Sequence, residues 1–192
     1  MPLAYHIVYC AYGFWLPNDP RGSWSKFVGS RRLYQLFGPA TKVATPQSLA
    51  HRPHDHARRL AAKQELKFPP VVFTGRQARE VALAIGDVAA VKNSTVLACS
   101  VMPEHVHLVI AQGRGTPGQI VASCRSRASH RLHEAGLWSD ERPIWGKGRW
   151  VVFLDTLRDV RAAVRYVERN PAQAGLRPQR WSFVKKGPGT AT

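Results

Sequence analysis

Residues 102–110 read Met-Pro-Glu-His-Val-His-Leu-Val-Ile, a stretch that predicts a short β-strand with two histidines on one face. Successive side chains of a strand point to opposite faces of the sheet, so His105 and His107 project on the same side. The apolar residues that alternate with them project towards a core: Val106, Leu108 and Ile110. Two imidazoles side by side are suited to one divalent metal ion. The alternative is a polar strand face without a ligand, because so short a motif recurs by chance.

The chain is strongly basic. Its 192 residues include 28 lysine and arginine against 12 aspartate and glutamate, a formal net charge of +16. The hydrophobic fraction of 44% is ordinary for a protein with a packed core. The charge therefore describes the partners of the protein rather than its fold, and it favours nucleic acid over a merely solvated cationic surface.

Membrane and disulfide signals are weak in this sequence. No apolar run approaches the roughly 20 residues that span a bilayer, and the N-terminal residues do not have the pattern of a signal peptide. Cys10, Cys99 and Cys124 are scattered and form no CxxC pair, which argues against a disulfide framework or a zinc–cysteine site. We expect a cytoplasmic protein with no membrane partner, and cysteines that serve as small core residues.

The apolar periodicity predicts further strands and three long helices around the histidine strand. The other strands are expected at 5–12, 95–102 and 151–154. The helices are expected at about 75–91, 117–135 and 156–169, after Thr74, Thr116 and Thr156. Pro171 and Gly175 are expected to end the last helix. The resulting order is the split βαβ arrangement of the α+β class, a four-stranded antiparallel sheet with helices on one face plus a C-terminal helix.

We interpret residues 1–184 as a single domain, interrupted by a basic insertion at about 23–73 and followed by a flexible tail at 185–192. Prolines punctuate the insertion, and its one regular element is expected to be a short helix over 56–66 with Asp55 as its cap. So long a connection in a compact domain is either functional or partly disordered.

Basic side chains recur at positions suited to a polyanion. The predicted helix over 117–135 has a basic face, although such a face is also compatible with simple solvation. Two interpretations of the loop at 13–22 stay open: its aromatic side chains and Arg21 stack on bases and hold phosphate, or Trp15 and Leu16 pin the loop to the core. We predict nucleic-acid contacts for seven basic residues: Arg21, Arg114, Arg125, Arg127, Arg131, Lys147 and Arg149.

A second motif lies on the last predicted helix. Tyr166 is at the edge of the apolar stripe, and Asn170 follows one turn later on the same face. With the His-Val-His motif, this pair resembles the single-tyrosine HUH transposases, which include the IS200-like and REP-associated tyrosine transposases. The resemblance covers about residues 5–13 and 75–184. A Trp- and Gly-containing segment that often precedes the tyrosine helix in relatives is matched by Trp145, Gly148 and Trp150.

The resemblance implies a role for each motif residue. It implies that His105 and His107 bind Mg²⁺ or Mn²⁺, that Asn170 completes the metal site, and that Tyr166 is the nucleophile. The implied activity is a metal-dependent nicking and rejoining of single-stranded DNA at hairpin or repeat sequences, through a 5′-phosphotyrosine. The insertion at 23–73 departs from minimal family members, so the choice between monomer and homodimer stays open.

The chemistry of phosphodiester cleavage fits these residue types. A tyrosine hydroxyl has a pKa of about 10, so a nearby cation and arginines would favour its ionised form. A phosphotyrosine keeps the bond energy that later joins a new strand. Two other classes remain open: a domesticated DNA- or RNA-binding protein without catalysis, and a replication initiator or relaxase. The short chain without a helicase-like region argues against the latter.

Overall fold

The computed structural model describes residues 1–14, 16, 30–39, 54–139 and 141–185. The strands are β1 (Ala4–Ala11), β2 (Val96–Val101), β3 (His105–Ala111) and β4 (Trp145–Leu154). The helices are α1 (Arg31–Phe37), α2 (His56–Gln64), α3 (Gly75–Val91), α4 (Pro117–Glu134) and α5 (Leu157–Gln173). The four strands form one antiparallel sheet in the order β2-β3-β1-β4. This is the strand order of a split βαβ sheet, so the predicted fold class is confirmed.

The chain divides into two compact units. They comprise residues 1–9, 73–141 and 151–192 in the first unit, and residues 10–72 and 142–150 in the second. The first unit contains β2, β3 and the three long helices, and the second contains α1 and α2. The interpretation of residues 1–184 as one domain stays a prediction, and most of the expected tail lies outside the described residues.

Threonine caps begin the three long helices where the sequence predicts them. At the start of α3, Thr74 Oγ1 accepts a hydrogen bond from the Gln77 amide, and Gln77 Oε1 accepts one from the Thr74 amide. Equivalent capping boxes begin α4 at Thr116 and α5 at Thr156. Each box satisfies amide donors that a helix start leaves unpaired, which fixes the first residue of the helix.

The predicted end of α5 at Pro171 is wrong, because the proline lies within the helix and the helix continues to Gln173. Proline lacks an amide donor, but its carbonyl still takes part in the helix end. The Leu176 amide donates to the Pro171 carbonyl at 2.8 Å, and Gly175 adopts a φ of 71°. This is the Schellman arrangement that favours glycine. The consequence is that Asn170 lies in regular helical backbone.

Strand β4 is longer than the sequence predicts. It begins at Trp145 rather than at 151. The sequence pattern did not predict the first part of β4, because glycine and lysine are depleted in strands and occupy positions 146–148. The reason for glycine at position 146 is close packing: an added Cβ would lie 3.2 Å from the Ala11 carbonyl oxygen.

The second unit contains one helix that the sequence did not predict and one that it did. Helix α1 follows Ser30, whose hydroxyl accepts from the Leu33 amide. Helix α2 confirms the predicted helix over 56–66, and Asp55 Oδ1 caps it by accepting from the Arg58 amide at 2.8 Å. A small core joins the two helices to the preceding loop through Leu16, Leu33 and Ala62, with Phe37 and Leu66 against it. Leu16 is therefore a core residue, whereas Trp15 and Arg21 lie outside the described residues.

Both faces of β3 are covered in the first unit. Leu108 and Ile110 line a small cavity together with residues of α3 and α4, as expected for the core-facing side. Val109 points the other way and packs in a cluster with apolar residues of α5: Val160, Ala163, Val164 and Val167. Because side chains alternate along a strand, α5 covers the face that carries His105 and His107.

Two expectations from composition can be compared with the structure. Cys10, Cys99 and Cys124 are free thiols and buried, which confirms the interpretation as core residues. In the part of the chain that the structure describes, no helix is both long and apolar enough to cross a membrane.

The segment after α5 covers the outer edge of β2. The Gln179 side chain pairs with the Val101 backbone, since its Oε1 accepts from the amide and its Nε2 donates to the carbonyl, both at 2.8 Å. Further along, the Lys185 amide donates to the Val96 carbonyl at 2.8 Å. A strand edge paired in this way is protected from association with other chains.

The same segment packs against α3 at a glycine. A Cβ added to Gly86 would lie 2.8 Å from Phe183 Cδ1. We expect Gly86→Ala to lower the free energy of unfolding by about 1 kcal/mol. The clash of the new methyl group with Phe183 costs about 1–3 kcal/mol, and the higher helix propensity of alanine offsets about 1 kcal/mol of this. In a Phe183→Ala background the same substitution should instead raise stability by about 1 kcal/mol. Urea denaturation of the four proteins measures this change of sign, and a destabilising effect in both backgrounds would contradict the proposed clash.

Candidate active site

Strands β1 and β3 place three histidines in a row on the face that α5 covers. His105 Nε2 lies 2.9 Å from His107 Nε2, and His107 Nδ1 lies 3.1 Å from His6 Nε2. The His6 and His107 rings are stacked, with centroids 5.3 Å apart and planes 26° from parallel. His6 shares its strand face with Ala4, which packs in the α5 cluster. The central imidazole of the row is therefore held from both sides.

Helix α5 places Tyr166 against this row. The Tyr166 ring centroid lies 5.6 Å from that of His107 and 5.8 Å from that of His6, edge to face in both cases. Tyr166 is 45% exposed, whereas Asn170, one turn later, is 8% exposed. The tyrosine is therefore ordered by two imidazoles and still open to solvent. The structure brings together the four residues that the sequence singled out, and their roles stay predictions.

Buried polarity concentrates at this site. In the described part of the chain, and apart from tyrosine and cysteine, the buried polar residues are Ser100, His107 and Asn170. Ser100 lies directly opposite His107 in the β2–β3 register. Neither Ser100 Oγ nor Asn170 Nδ2 makes a hydrogen bond of good geometry with a described residue, although the Asn170 amide lies close enough to the Tyr166 hydroxyl to act on its pKa. Buried polar groups without good partners cost free energy, so Ser100 and Asn170 are candidates for a functional rather than a stabilising role, although such atoms also lie elsewhere, at His54 Nε2 and Trp181 Nε1.

The environment controls the charge of the site residues. Burial lowers the pKa of His107 well below its usual value, and the neighbouring His105 and His6 imidazoles lower it further. Burial also lowers the pKa of His6 to about 4. Both imidazoles are consequently neutral at physiological pH, the state that metal binding and hydrogen-bond acceptance require. Burial raises the pKa of Tyr166, and the Asn170 amide opposes the rise.

The histidine pair fits an octahedral cation. Two adjacent ligands of Mg²⁺ at about 2.1 Å are about 3 Å apart, and the two Nε2 atoms of His105 and His107 are separated by 2.9 Å. Turning the Asn170 amide by half a rotation would present its oxygen where the unpartnered nitrogen now lies. Among the described residues, no three histidine, cysteine, aspartate or glutamate side chains converge as a metal site. A cation here would therefore depend on the imidazoles of His105 and His107, an amide and its substrate.

Sequence reasoning missed His6 and Ser100. Alternation along a strand assigns each of these residues to one face of the sheet. The residues near them in sequence do not indicate which strands are neighbours in that sheet. His6 and His107 are 101 residues apart in sequence. The signal that was present, a histidine within an apolar first strand, becomes informative only when β1 is placed beside β3.

The predicted nucleic-acid residues occupy different surroundings. Arg127 Nε donates to Asp87 Oδ2 at 2.8 Å, and Arg131 forms ion pairs with both Glu80 and Asp87. The guanidinium of Arg125 lies 5.5 Å from the centroid of the Tyr9 ring. Much of the basic face predicted for α4 therefore holds α4 to its neighbours.

The remaining predicted contacts are exposed or outside the described residues. Arg114 is exposed in the loop before α4, and Lys147 and Arg149 are exposed on β4. Arg21 lies outside the described part of the chain. Their contact with nucleic acid stays a prediction.

The fold and site define an α+β protein with a histidine pair on a central strand and a tyrosine on the covering helix. Residues 67–170, more than half of the chain, match the family model described as "Transposase IS200 like". The chain therefore belongs to the IS200-like transposase family.

Solved structures and curated proteins complete the comparison. One similar structure is a REP-associated tyrosine transposase bound to a REP hairpin, with 16% identity, a TM-score of 0.49, and coverage of 95% of this chain and 75% of the other. Another is a putative transposase from Deinococcus radiodurans R1, with 12% identity, a TM-score of 0.40, and coverage of 88% and 91%. No curated protein matches the chain significantly in sequence.

Proposed function

We propose that this protein is a metal-dependent transposase that cleaves and rejoins single-stranded DNA through a phosphotyrosine. The observation that carries the proposal is the contact of the half-exposed Tyr166 ring with the buried His107 imidazole, whose Nε2 lies 2.9 Å from the Nε2 of His105. Membership of the IS200-like family supports the same reaction class. The DNA substrate is proposed to be a hairpin or short repeat, and the strong positive charge supports a polyanionic partner.

In the proposed reaction, Tyr166 Oη attacks a backbone phosphorus. An O–P bond forms to the tyrosine while the bond from phosphorus to the 3′ oxygen breaks. The phenolic proton is lost to solvent and the leaving oxygen takes up a proton, so the products are a 5′-phosphotyrosine and a free 3′-hydroxyl. Attack by another 3′-hydroxyl reverses the step, returns the proton to the tyrosine and joins a new strand.

The residues around Tyr166 assist this chemistry. His105, His107 and Asn170 would hold Mg²⁺ or Mn²⁺. When bound, such a cation supplies Lewis-acid polarisation of a non-bridging phosphate oxygen and favours the tyrosinate. Because burial raises the pKa of Tyr166, the tyrosine alone stays protonated at neutral pH. A requirement for positive charge beside it follows from this environment.

His6 would act as a positioning residue for His107. If His107 Nε2 takes part in cation binding, its proton lies on Nδ1, which is 3.1 Å from His6 Nε2. A neutral His6 accepts that proton in a hydrogen bond and fixes the ring orientation of His107. The low pKa of His6 keeps it able to accept.

The experiment that tests the proposed function is a denaturing-gel assay for a covalent adduct. Labelled single-stranded hairpins from the sequence flanking the gene would be incubated with protein and Mg²⁺ or Mn²⁺, with EDTA in a parallel reaction. A slowly migrating band that needs the cation supports the proposal. Tight binding with no adduct on any flanking repeat would instead favour a nucleic-acid-binding protein without catalysis.

The role of His6 is separately testable. We expect His6→Ala to weaken Mn²⁺ binding by about 10- to 100-fold, the usual effect of removing a hydrogen-bond partner of a metal ligand. His6→Gln should restore most of the affinity, because its carbonyl oxygen also accepts from His107 Nδ1. Titration of free Mn²⁺ by electron paramagnetic resonance measures the affinity without any reaction. Equal Mn²⁺ affinity in His6→Ala and the unmodified protein would contradict the positioning role.

A further inference from the structure

Helix α5 carries a row of four arginines on its exposed side. Arg158, Arg161, Arg165 and Arg169 are spaced by three, four and four residues, which aligns them on one helix face. All four are exposed. The buried side of α5 is formed by Val160, Ala163, Val164 and Val167. The helix therefore presents its apolar stripe to the sheet and a continuous cationic row to solvent.

These arginines differ from the basic residues of α4. Arg127 and Arg131 form ion pairs with α3 carboxylates. No ion pair or other polar contact is found for any of the four row residues in the described part of the chain. The nearby Asp159 is already engaged in the capping box with Thr156. The charge of the row is thus available to a partner.

The dimensions of the row suit a nucleic-acid strand. Eleven residues separate Arg158 from Arg169, which at about 1.5 Å per residue gives a length of roughly 16 Å. A single strand stacked with the rise of B-form DNA, about 3.4 Å per nucleotide, covers that length with about five nucleotides, and a more extended strand covers it with fewer. Guanidinium groups bind phosphate with paired donors, and repeated spacing along a helix matches a repeated phosphate rather than a single anion.

The row also runs past the proposed nucleophile. Arg165 precedes Tyr166 directly, and Arg169 follows it by three residues, a neighbouring position on the helix surface. We infer that the four arginines of α5 bind the phosphate backbone of the same single DNA strand that Tyr166 attacks. This inference rests on the proposed function and assigns the path of the strand along the tyrosine helix.

The test compares two variants of equal charge. In the row variant, Arg158, Arg161, Arg165 and Arg169 are changed to glutamine. In the control variant, four exposed arginines elsewhere are changed to glutamine: Arg31, Arg58, Arg76 and Arg180. Both lose four charges. Binding of a fluorescent single-stranded oligonucleotide is measured by anisotropy across a series of salt concentrations.

We expect the row variant to bind the oligonucleotide at least about tenfold more weakly. The plot of log association constant against log salt concentration should also become less steep by about 3, since each of four phosphate contacts contributes about 0.7 for single strands. The control variant should keep a slope close to that of the unmodified protein. A version with all four row residues changed to lysine should restore most of the slope because it restores the charge. Equal losses in row and control variants, or an unchanged slope in the row variant, would overturn the inference.

The outcome is distinguishable from failure of the proposed function. If the unmodified protein forms a covalent adduct while the row variant keeps its binding slope, the reaction stands and the strand path is wrong. If the unmodified protein forms no adduct but only the row variant loses DNA binding, the DNA-binding role of the α5 arginines is supported and the proposed cleavage activity is wrong. Circular dichroism of both variants checks that the exposed substitutions leave the fold intact.

Discussion

Replacing Tyr166 by phenylalanine is expected to abolish the covalent protein–DNA adduct. The substitution removes one hydroxyl and keeps the ring that contacts His6 and His107. Without the oxygen, no bond to phosphorus can form, so we expect a loss of at least about 1,000-fold, equivalent to about 4 kcal/mol in the barrier. The denaturing-gel assay measures the adduct, and anisotropy measures DNA binding, which should change little.

Tyr34 provides a matched control for this substitution. Like Tyr166, it lies on a helix and is 45% exposed, but it belongs to α1. Tyr34→Phe removes the same atom from a similarly exposed ring and should leave adduct formation unchanged. If Tyr166→Phe still forms an adduct, another side chain is the nucleophile and the proposed role of Tyr166 is wrong.

Replacing His105 by alanine is expected to remove cation binding. The Nε2 atoms of His105 and His107 form the pair at 2.9 Å that fits two adjacent ligand positions. Loss of one imidazole leaves a single imidazole and an amide, so we expect Mn²⁺ affinity to fall by at least about 100-fold, about 2.7 kcal/mol. His105 is only partly buried, and its removal should therefore disturb the packing less than removal of the buried His107.

The Mn²⁺ concentration that adduct formation requires should rise in His105→Ala as the Mn²⁺ affinity falls. Electron paramagnetic resonance gives Mn²⁺ binding directly, and the adduct assay gives the Mn²⁺ concentration for half-maximal reaction. His130→Ala is the control, because His130 lies on α4 beside Glu134 and is 60% exposed. Unchanged Mn²⁺ affinity in His105→Ala would show that the histidine pair does not hold the cation.

Rules that connect near neighbours in sequence predicted much of this protein. Strand alternation placed His105 and His107 on one face, and helical spacing placed Asn170 one turn after Tyr166. Threonine caps identified the starts of the long helices for the same reason, since a capping box spans only four residues. The error at Pro171 arose because a proline near a helix end either stops the helix or lies within its last turn. Here the hydrogen bond from the Leu176 amide to the Pro171 carbonyl places it within the last turn.

Contacts between distant residues needed the tertiary structure. The sequence could not place His6 beside His107, because that contact depends on β1 and β3 being neighbours in the sheet. Charge alone predicted a nucleic-acid surface on α4, but packing of α4 against α3 pairs Arg127 and Arg131 with carboxylates. The same folding leaves the arginines of α5 exposed. Residue types, local helices and strands, and the overall charge follow from the amino-acid order alone, because each depends on a residue and its near neighbours. Tertiary packing decided which polar groups are buried together and which charges remain for a partner, because burial and pairing depend on long-range neighbours.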